Sequence, residues 1–288
     1  MRKLLAVILI AILGCTGPQK SDKPTVAVTI LPQKYFVGKI AGDLVEVNVL
    51  VPPGASPELY ALMPSQMTGL STTLAWLGIG KIGFEEGWVD KIQQSSPKLK
   101  YFDTSKQADW IAAEEEQHGD HVHLHGVDPH LWSAPDEVKK IAEETYKALV
   151  QVLPGHKQVL TANYAKFQAE IDSLDAELKA TFDQLPSKKF LIFHPSLTYL
   201  ARQYGLEQVA MELDGKEPSP KHLKDLAELA KKENIKAIFV QKEFNMDNAR
   251  QMANEIGGEV IQIDPLNENW ADELRSIASK IAEAEHLQ

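Results

Sequence analysis

The sequence predicts an α/β protein with two similar lobes, whose mainly parallel sheets are joined by a long linker helix. Three observations favour this fold class. Short β-branched runs alternate with amphipathic segments in the first half of the chain. Residues 156–185 contain no Pro or Gly and follow a helical pattern. The alternation then starts again after Pro186. Strands that alternate with helices form parallel sheets covered by helices on both faces.

The first lobe begins with Thr25–Ile30, a β-branched run typical of a buried strand. A rigid loop rich in Pro and Gly at 52–58 ends the second strand. The other predicted elements are a helix at 32–41, a strand at 44–51, a helix at 64–70, and strands at 74–79 and 99–102.

The middle of the chain predicts two helices separated by Pro154-Gly155. The first opens at Pro135 and extends to Val152. In the second, apolar residues recur every three or four positions, which indicates one amphipathic helix of ~28 residues and ~42 Å. We interpret 154–186 as the linker helix between an N-terminal lobe, 25–153, and a C-terminal lobe, 187–288.

The C-terminal lobe repeats the alternation without a direct sequence repeat. Pro218 to Pro220 form a helix start signal, and Gly257-Gly258 a helix end. Strands are predicted at 189–193, 208–213, 236–240 and 259–263, and helices at 197–204, 220–233, 245–256 and 270–285.

The first residues are predicted to be a targeting segment. Arg2 and Lys3 precede the apolar run 4–13, too short to span a bilayer, so 1–14 is interpreted as a signal peptide. Cys15 is the only cysteine, and its Ile-Leu-Gly-Cys context resembles a bacterial lipoprotein cleavage site, where the cysteine is acylated. An ordinary secretory signal is the alternative. We expect 15–24 to be a lipid-anchored tether and the protein to be exported, either periplasmic or at the cell surface.

The composition excludes one class of partner. The chain has 288 residues, and 40 acidic against 30 basic side chains give a net charge of −10. A nucleic-acid-binding protein would carry a basic face, so no nucleic acid is expected as a partner. With Cys15 lipidated, no thiolate remains, and any bound metal must have nitrogen and oxygen ligands.

Five of the nine histidines fall within residues 118–130. Neutral imidazole is the commonest protein ligand for a borderline metal such as zinc. We predict an auxiliary metal site in a His-rich loop at 117–126; a solvated acidic loop is the alternative. His130 stands apart behind Pro129, whose ring restricts its neighbour, and is predicted to be a fixed ligand. The loop histidines are His118, His121, His123 and His125.

Three further polar residues follow predicted strands of the two lobes. Ligands of open α/β sheets bind beyond the carboxyl ends of the strands, where Glu58, His194 and Asp264 lie. With His130 they form the predicted metal site, and no catalytic residue is predicted. The alternatives are a solvated Glu58, a buried structural His194 and a plain turn at Asp264. No role is assigned to Glu212, Asp214, Glu217, His156, His222 or His286.

Several motifs occur in a characteristic order along the chain. They are Pro53-Gly-Ala-Ser-Pro57, the His-rich insertion, Asp128-Pro-His-Leu-Trp132, Phe193-His-Pro195, Gly215-Lys-Glu-Pro-Ser219 and Ile263-Asp-Pro-Leu266. Together they resemble the zinc/manganese solute-binding lipoproteins of bacterial ABC transporters, in particular the zinc type with a His-rich loop. The resemblance implies metal bound between two lobes and delivered to an ABC permease. We also expect the protein to be a monomer.

The resemblance assigns ligand roles to His130, His194 and Asp264, but the family normally has histidine where this chain has Glu58. Glutamate can bind zinc through oxygen, and it also makes the site harder, which suits manganese or iron. A loop histidine as the first ligand is the alternative. We favour zinc as the bound ion.

Three rival functions remain to be weighed. A surface metallohydrolase would need an open site, and the chain has no His-Glu-x-x-His helix. A surface adhesin is a second rival, and nothing in these residues tests that function. The third rival, a haem- or siderophore-binding protein, would need more aromatic or Arg residues at the strand ends. Capture of an ion without catalysis fits the predicted ligands best.

Overall fold

The computed structural model describes residues 23–112, 116–118, 121–123, 126–212 and 218–285. The predicted signal peptide 1–14, Cys15 and most of the tether lie outside the described residues, as do His125 and the unassigned Asp214, Glu217 and His286. Within the described part of the chain, no helix is both long enough and apolar enough to cross a membrane.

The N-terminal lobe contains a four-stranded parallel sheet. Its strands are β1 (Thr25–Val28), β2 (Glu46–Val49), β3 (Ala75–Gly78) and β4 (Lys100–Asp103), in the spatial order β2-β1-β3-β4. Strand β1 lies inside the sheet, and its Val26, Ala27 and Val28 are fully buried, as expected for a strand covered on both faces. The helices are α1 (Leu31–Ala41), α2 (Pro64–Leu70) and α3 (Gly83–Ser95).

A short antiparallel pair, β5 (Glu116–His118) and β6 (His121–His123), follows the first sheet. The chain then enters α4 (Pro135–Val152) and α5 (Lys157–Asp183). The 27-residue α5 agrees with the predicted amphipathic helix. Its buried face is the stripe that the sequence indicates, formed by Leu160, Phe167, Ile171, Leu174, Leu178 and Phe182.

The C-terminal lobe repeats the topology of the first. Its sheet is parallel, and the first strand of the lobe again lies between the second and the third. The strands are β7 (Lys189–Ile192), β8 (Glu207–Ala210), β9 (Ala237–Gln241) and β10 (Glu259–Ile263). The helices are α6 (Thr198–Tyr204), α7 (Pro220–Lys232), α8 (Asp247–Ile256) and α9 (Trp270–Ala284). The predicted α/β fold of two lobes is therefore confirmed.

One hydrophobic core continues from lobe to lobe. Phe36 of α1 packs against Phe167 of α5 and Trp270 of α9, with ring centroids 5.9 and 5.3 Å apart. The indole of Trp270 donates a hydrogen bond of 2.6 Å to the carbonyl of Trp132. The indole of Trp132 donates one of 3.0 Å to the carbonyl of Pro265. These buried contacts fix the segments on either side of the interlobe cleft.

Two elements were not predicted from the sequence. Helix α3 lacks a side-chain cap and contains Gly83 and Gly87, which weaken a helical signal. The β5–β6 pair lies in the His-rich stretch that we interpreted as a loop. The lobe boundaries at 153 and 187 stay a prediction.

Candidate metal centre

Three of the predicted ligands meet in the cleft between the lobes. The Nε2 atoms of His130 and His194 lie 3.2 Å apart. Oε1 of Glu58 lies 3.6 Å from Nε2 of His130 and 3.3 Å from Nε2 of His194. Within the parts of the chain that the structure describes, this is the one His/Cys/Asp/Glu cluster compact enough to hold a metal ion.

Glu58 is contributed by the loop that follows β2. Pro52, Pro53 and Pro57 restrict the loop backbone. The backbone N–H of Glu58 donates to Oγ of Ser56 at 3.3 Å. Its side chain is 31% exposed, against a nearly buried pair of imidazoles. The carboxylate is therefore the part of the centre that faces solvent.

His130 directly precedes a short 3-10 turn, Leu131–Ser133. Its Nδ1 lies 2.9 Å from Oδ1 of Asp128, which also accepts from the backbone N–H of His130 at 2.8 Å. An ionised carboxylate only accepts hydrogen bonds, so Nδ1 carries the proton. This contact leaves the Nε2 lone pair free to face the cleft, an arrangement common among metal-binding histidines.

His194 follows β7, the first strand of the C-terminal lobe. Its Nδ1 lies 2.6 Å from Oε2 of Glu212, so this histidine too is oriented by a carboxylate. The backbone of His194 is hydrogen-bonded to the side chain of Gln241 at the end of β9. The ring of Phe244 stacks on the imidazole with centroids 5.0 Å apart. Ligand sites of open α/β sheets lie at this position, where neighbouring crossovers diverge.

The charges of the centre favour a cation. Burial alone would lower the pKa of His194, but hydrogen bonds to Glu212 and Glu58 outweigh it and raise the pKa to about 9. Burial tends to raise the pKa of Glu58, yet His194 and His130 lower it below its usual value. Burial likewise opposes ionisation of Asp128, while His130 holds its pKa low. The carboxylate of Glu58 therefore lies 3.3 Å from Nε2 of a protonated His194.

The spacing of the three ligand atoms matches the demands of a small divalent ion. Zinc binds imidazole nitrogen at roughly 2.0–2.1 Å, so two nitrogens on a tetrahedral ion lie about 3.3 Å apart. The observed separations of 3.2, 3.3 and 3.6 Å are close to that value. The centre can exchange the proton at Nε2 of His194 for a metal ion with little rearrangement.

Asp264 is not part of this group of three. It follows β10, as predicted, but its Oδ2 accepts from Nδ2 of Asn267 at 3.2 Å and lies 3.6 Å from Nζ of Lys242. It lines a neighbouring cavity together with Glu243. The next residues, Pro265 and Leu266, line the pocket of the metal centre. A ligand role for Asp264 stays a prediction.

Sequence reasoning missed the residues that orient the histidines. No role was assigned to Glu212 from the sequence, whereas it is buried and bonded to His194. Asp128 was seen only as part of a motif, although its position two residues before His130 permits a local side-chain contact. Gln241 ends a strand that neighbours the strand of His194. This position was the other sequence feature that could have indicated an orienting role.

The side chains of the four loop histidines lie outside the described part of the structure. His118, His121 and His123 fall in β5 and β6, whose side chains lie outside the description, and His125 is among the undescribed residues. The auxiliary site therefore stays a prediction, as does a loop histidine as first ligand.

Comparison with known proteins gives a consistent result. A crystal structure of ZnuA is 37% identical in sequence and superposes with a TM-score of 0.86, covering 92% of this chain and 100% of that one. A zinc-bound ZnuA deletion mutant is also 37% identical, with a TM-score of 0.85 and coverage of 92% and 98%. The high-affinity zinc uptake system protein ZnuA of Bacillus subtilis (strain 168) is 28% identical over 260 residues, 87% of this chain and 81% of that protein.

The zinc-binding lipoprotein AdcA of Streptococcus pneumoniae (strain ATCC BAA-255 / R6) is 28% identical over 276 residues, 92% of this chain. The chain spans about half of AdcA, 54% of its length. The family described as "ZnuA: Zinc-uptake complex component A periplasmic" matches residues 26–284. Since this match covers both lobes and every residue of the candidate centre, the chain belongs to the ZnuA family of periplasmic zinc-uptake components.

Proposed function

We propose that this protein is an extracytoplasmic solute-binding protein that captures a divalent transition metal ion, zinc in preference, and delivers it to an ABC permease. The observation that carries the proposal is the convergence of Glu58 with His130 and His194 at separations of 3.2 to 3.6 Å. The zinc-related names of its relatives support the same cargo.

The chemistry of the centre favours capture over catalysis. Two neutral imidazoles and a carboxylate are a ligand set that zinc accepts readily. Each imidazole is held by its own carboxylate, Asp128 or Glu212, so the ligands are preorganised and little ordering is needed on binding. Asp264 is our predicted fourth ligand, and a fourth protein ligand would close the ion to water.

Manganese or iron is the alternative cargo, and one residue favours it. Glu58 stands where histidine is usual in the family, and an oxygen ligand raises the relative affinity for harder ions. Two imidazole nitrogens nevertheless meet Glu58 in the centre, and the chain carries four further histidines in its loop, so we favour zinc.

Three further features belong to the proposal. Cys15 would be lipidated and tether the protein to the membrane beside the permease. The loop histidines His118, His121, His123 and His125 would hold additional ions more weakly than the main centre. The protein would act as a monomer, since its cleft is formed by one chain.

Titration of metal-free protein with zinc against a competing chelator tests the proposal. One tight site is expected, and it should be lost in both His130→Ala and His194→Ala. His156→Ala is the matched control, because His156 lies between α4 and α5 and does not belong to the cluster of Glu58, His130 and His194. Unchanged tight binding in both cleft variants would overturn the assignment.

A further inference from the structure

Helix α3 begins in direct contact with the loop that carries Glu58. The helix has no side-chain cap at its N-terminus. Instead, the backbone N–H of Phe84 donates a hydrogen bond of 2.9 Å to the carbonyl of Pro57. A helix leaves its first backbone donors without intrahelical partners, and one of them is satisfied here by the residue just before Glu58. The position of the loop and that of the helix end are thus coupled.

Gly83 makes the contact between helix and loop close. A Cβ atom at this position would lie 2.7 Å from the carbonyl oxygen of Glu58, 3.2 Å from its Cα and 3.3 Å from its carbonyl carbon. All three are backbone atoms, so no side-chain rotation can relieve the overlap. Gly83 is accessible to solvent on its other side, but the direction in which a side chain would extend is filled by Glu58.

The N-terminal end of α3 is itself bound to the sheet by a buried carboxylate. Glu85, 1% exposed, accepts from the backbone N–H groups of Ile79 and Gly80 at 2.7 and 2.9 Å. It also accepts from the hydroxyls of Thr29 and Tyr101. These donors come from the carboxyl ends of β1 and β3 and from β4. The first turn of α3 is therefore a rigid platform, not a loose helix end.

We propose that the N-terminus of α3 is the seat that positions the Glu58 carboxylate against the two imidazoles, and that Gly83 is the positioning residue. The inference rests on the proposed function, in which Glu58 is a ligand of the captured ion. The α3 seat, defined as Gly83, Phe84 and Glu85, contacts no ion. It acts by fixing the backbone from which the carboxylate extends.

The test compares two glycines of the same helix. Gly83→Ala must displace the Glu58 backbone, because ordinary contact to a Cβ begins near 3.4 Å and the oxygen lies at 2.7 Å. Gly87→Ala is the matched control, since a Cβ there would meet nothing within 4 Å. We expect Gly83→Ala to weaken zinc binding by about 10-fold or more, as for other residues that orient a metal ligand. Gly87→Ala should stay within about 2-fold of the unsubstituted protein.

Two readouts separate positioning from a general loss of stability. The visible absorption of the cobalt(II)-loaded protein reports the ligand arrangement, and Gly83→Ala should shift it towards the spectrum of Glu58→Ala. In a Glu58→Ala background, Gly83→Ala should cause no further loss of zinc affinity, because there is no carboxylate left to position. An undiminished loss in that background would overturn the inference.

A second variant keeps the test decisive if Gly83→Ala does not fold. Glu85→Gln keeps the shape of the platform but replaces one acceptor oxygen by an NH2 donor, so two of its four donors lose their acceptor. It should weaken zinc binding only while Glu58 is present. If Glu58→Ala itself leaves zinc affinity unchanged, the ligand assignment fails. If Glu58→Ala weakens binding while folded Gly83→Ala or Glu85→Gln does not, the inference about the α3 seat alone fails.

Discussion

Zinc affinity should rise steeply with pH, because the ion replaces a strongly held proton. In the metal-free protein the pKa of His194 is raised to about 9: burial opposes the charge, but the bonds to Glu212 and Glu58 outweigh it. Nδ1 keeps its proton towards Glu212, so the proton that leaves is the one at Nε2. Below pH 9 the apparent affinity should therefore fall by about 10-fold per pH unit, or about 100-fold between pH 8 and pH 6.

The same shift has the opposite sign for the stability of the metal-free fold. The pKa of His194 is higher in the folded protein than its ordinary value of 6.5. Its contribution to folding is therefore fully present below pH 6.5 and is lost as the pH rises through about 9. Glu58, whose pKa is lowered, remains ionised between pH 6 and pH 8. It therefore does not alter the pH dependence of zinc affinity or of stability in this range.

The assay is calorimetric titration with zinc in buffers of different ionisation enthalpy, with a chelator competitor at each pH. About one proton should be released per zinc ion near pH 8. Glu212→Gln is the comparison variant: without that carboxylate the pKa of His194 falls, so the affinity should stop rising at a lower pH. Affinity that is constant between pH 7 and pH 8.5, or identical profiles for both proteins, would refute the reasoning.

Three further predictions concern the remaining candidate ligands. Asp264→Ala should weaken zinc binding by roughly 100-fold in chelator competition if the carboxylate is the fourth ligand. If Asp264→Ala and Asp264→Asn both bind zinc as tightly as the unsubstituted protein, Asp264 is not a ligand. Deletion of 117–126 should spare the tight site and abolish weaker ones in a zinc titration, whereas loss of tight binding would make a loop histidine a primary ligand. Glu58→His should tighten zinc relative to manganese by about 10-fold, since nitrogen replaces a harder oxygen, and unchanged selectivity in paired titrations would count against Glu58 as a ligand.

Most of the fold is predictable because the strands and the long helix carry strong periodic signals. The run at Thr25–Val28 is rich in β-branched residues, and its last three residues are buried. The stripe from Leu160 to Phe182 follows the helical repeat over the whole of α5. Helix α3 was missed although Phe84, Trp88 and Ile92 recur at helical spacing, since its glycines and the missing side-chain cap conceal its start.

The candidate centre is predictable to the extent that it depends on strand ends. His194 and Glu58 were singled out because each follows a strand, and the interlobe fold brings them to His130. The orienting residues are harder to predict, because the contact between His194 and Glu212 joins positions 18 residues apart. Asp264 shows the limit of the strand-end rule, since a position just after a strand does not fix where a carboxylate points, and neighbouring Lys242 and Asn267 contact it here.

The proposed function requires one ion held jointly by the two lobes. An anomalous-scattering map of crystals of the zinc-loaded protein, collected on both sides of the zinc absorption edge, tests this directly. We predict one strong peak within bonding distance of Nε2 of His130, Nε2 of His194 and the carboxylate of Glu58. A protein whose tightly bound zinc appears elsewhere, with no peak between the two imidazoles, would contradict the account.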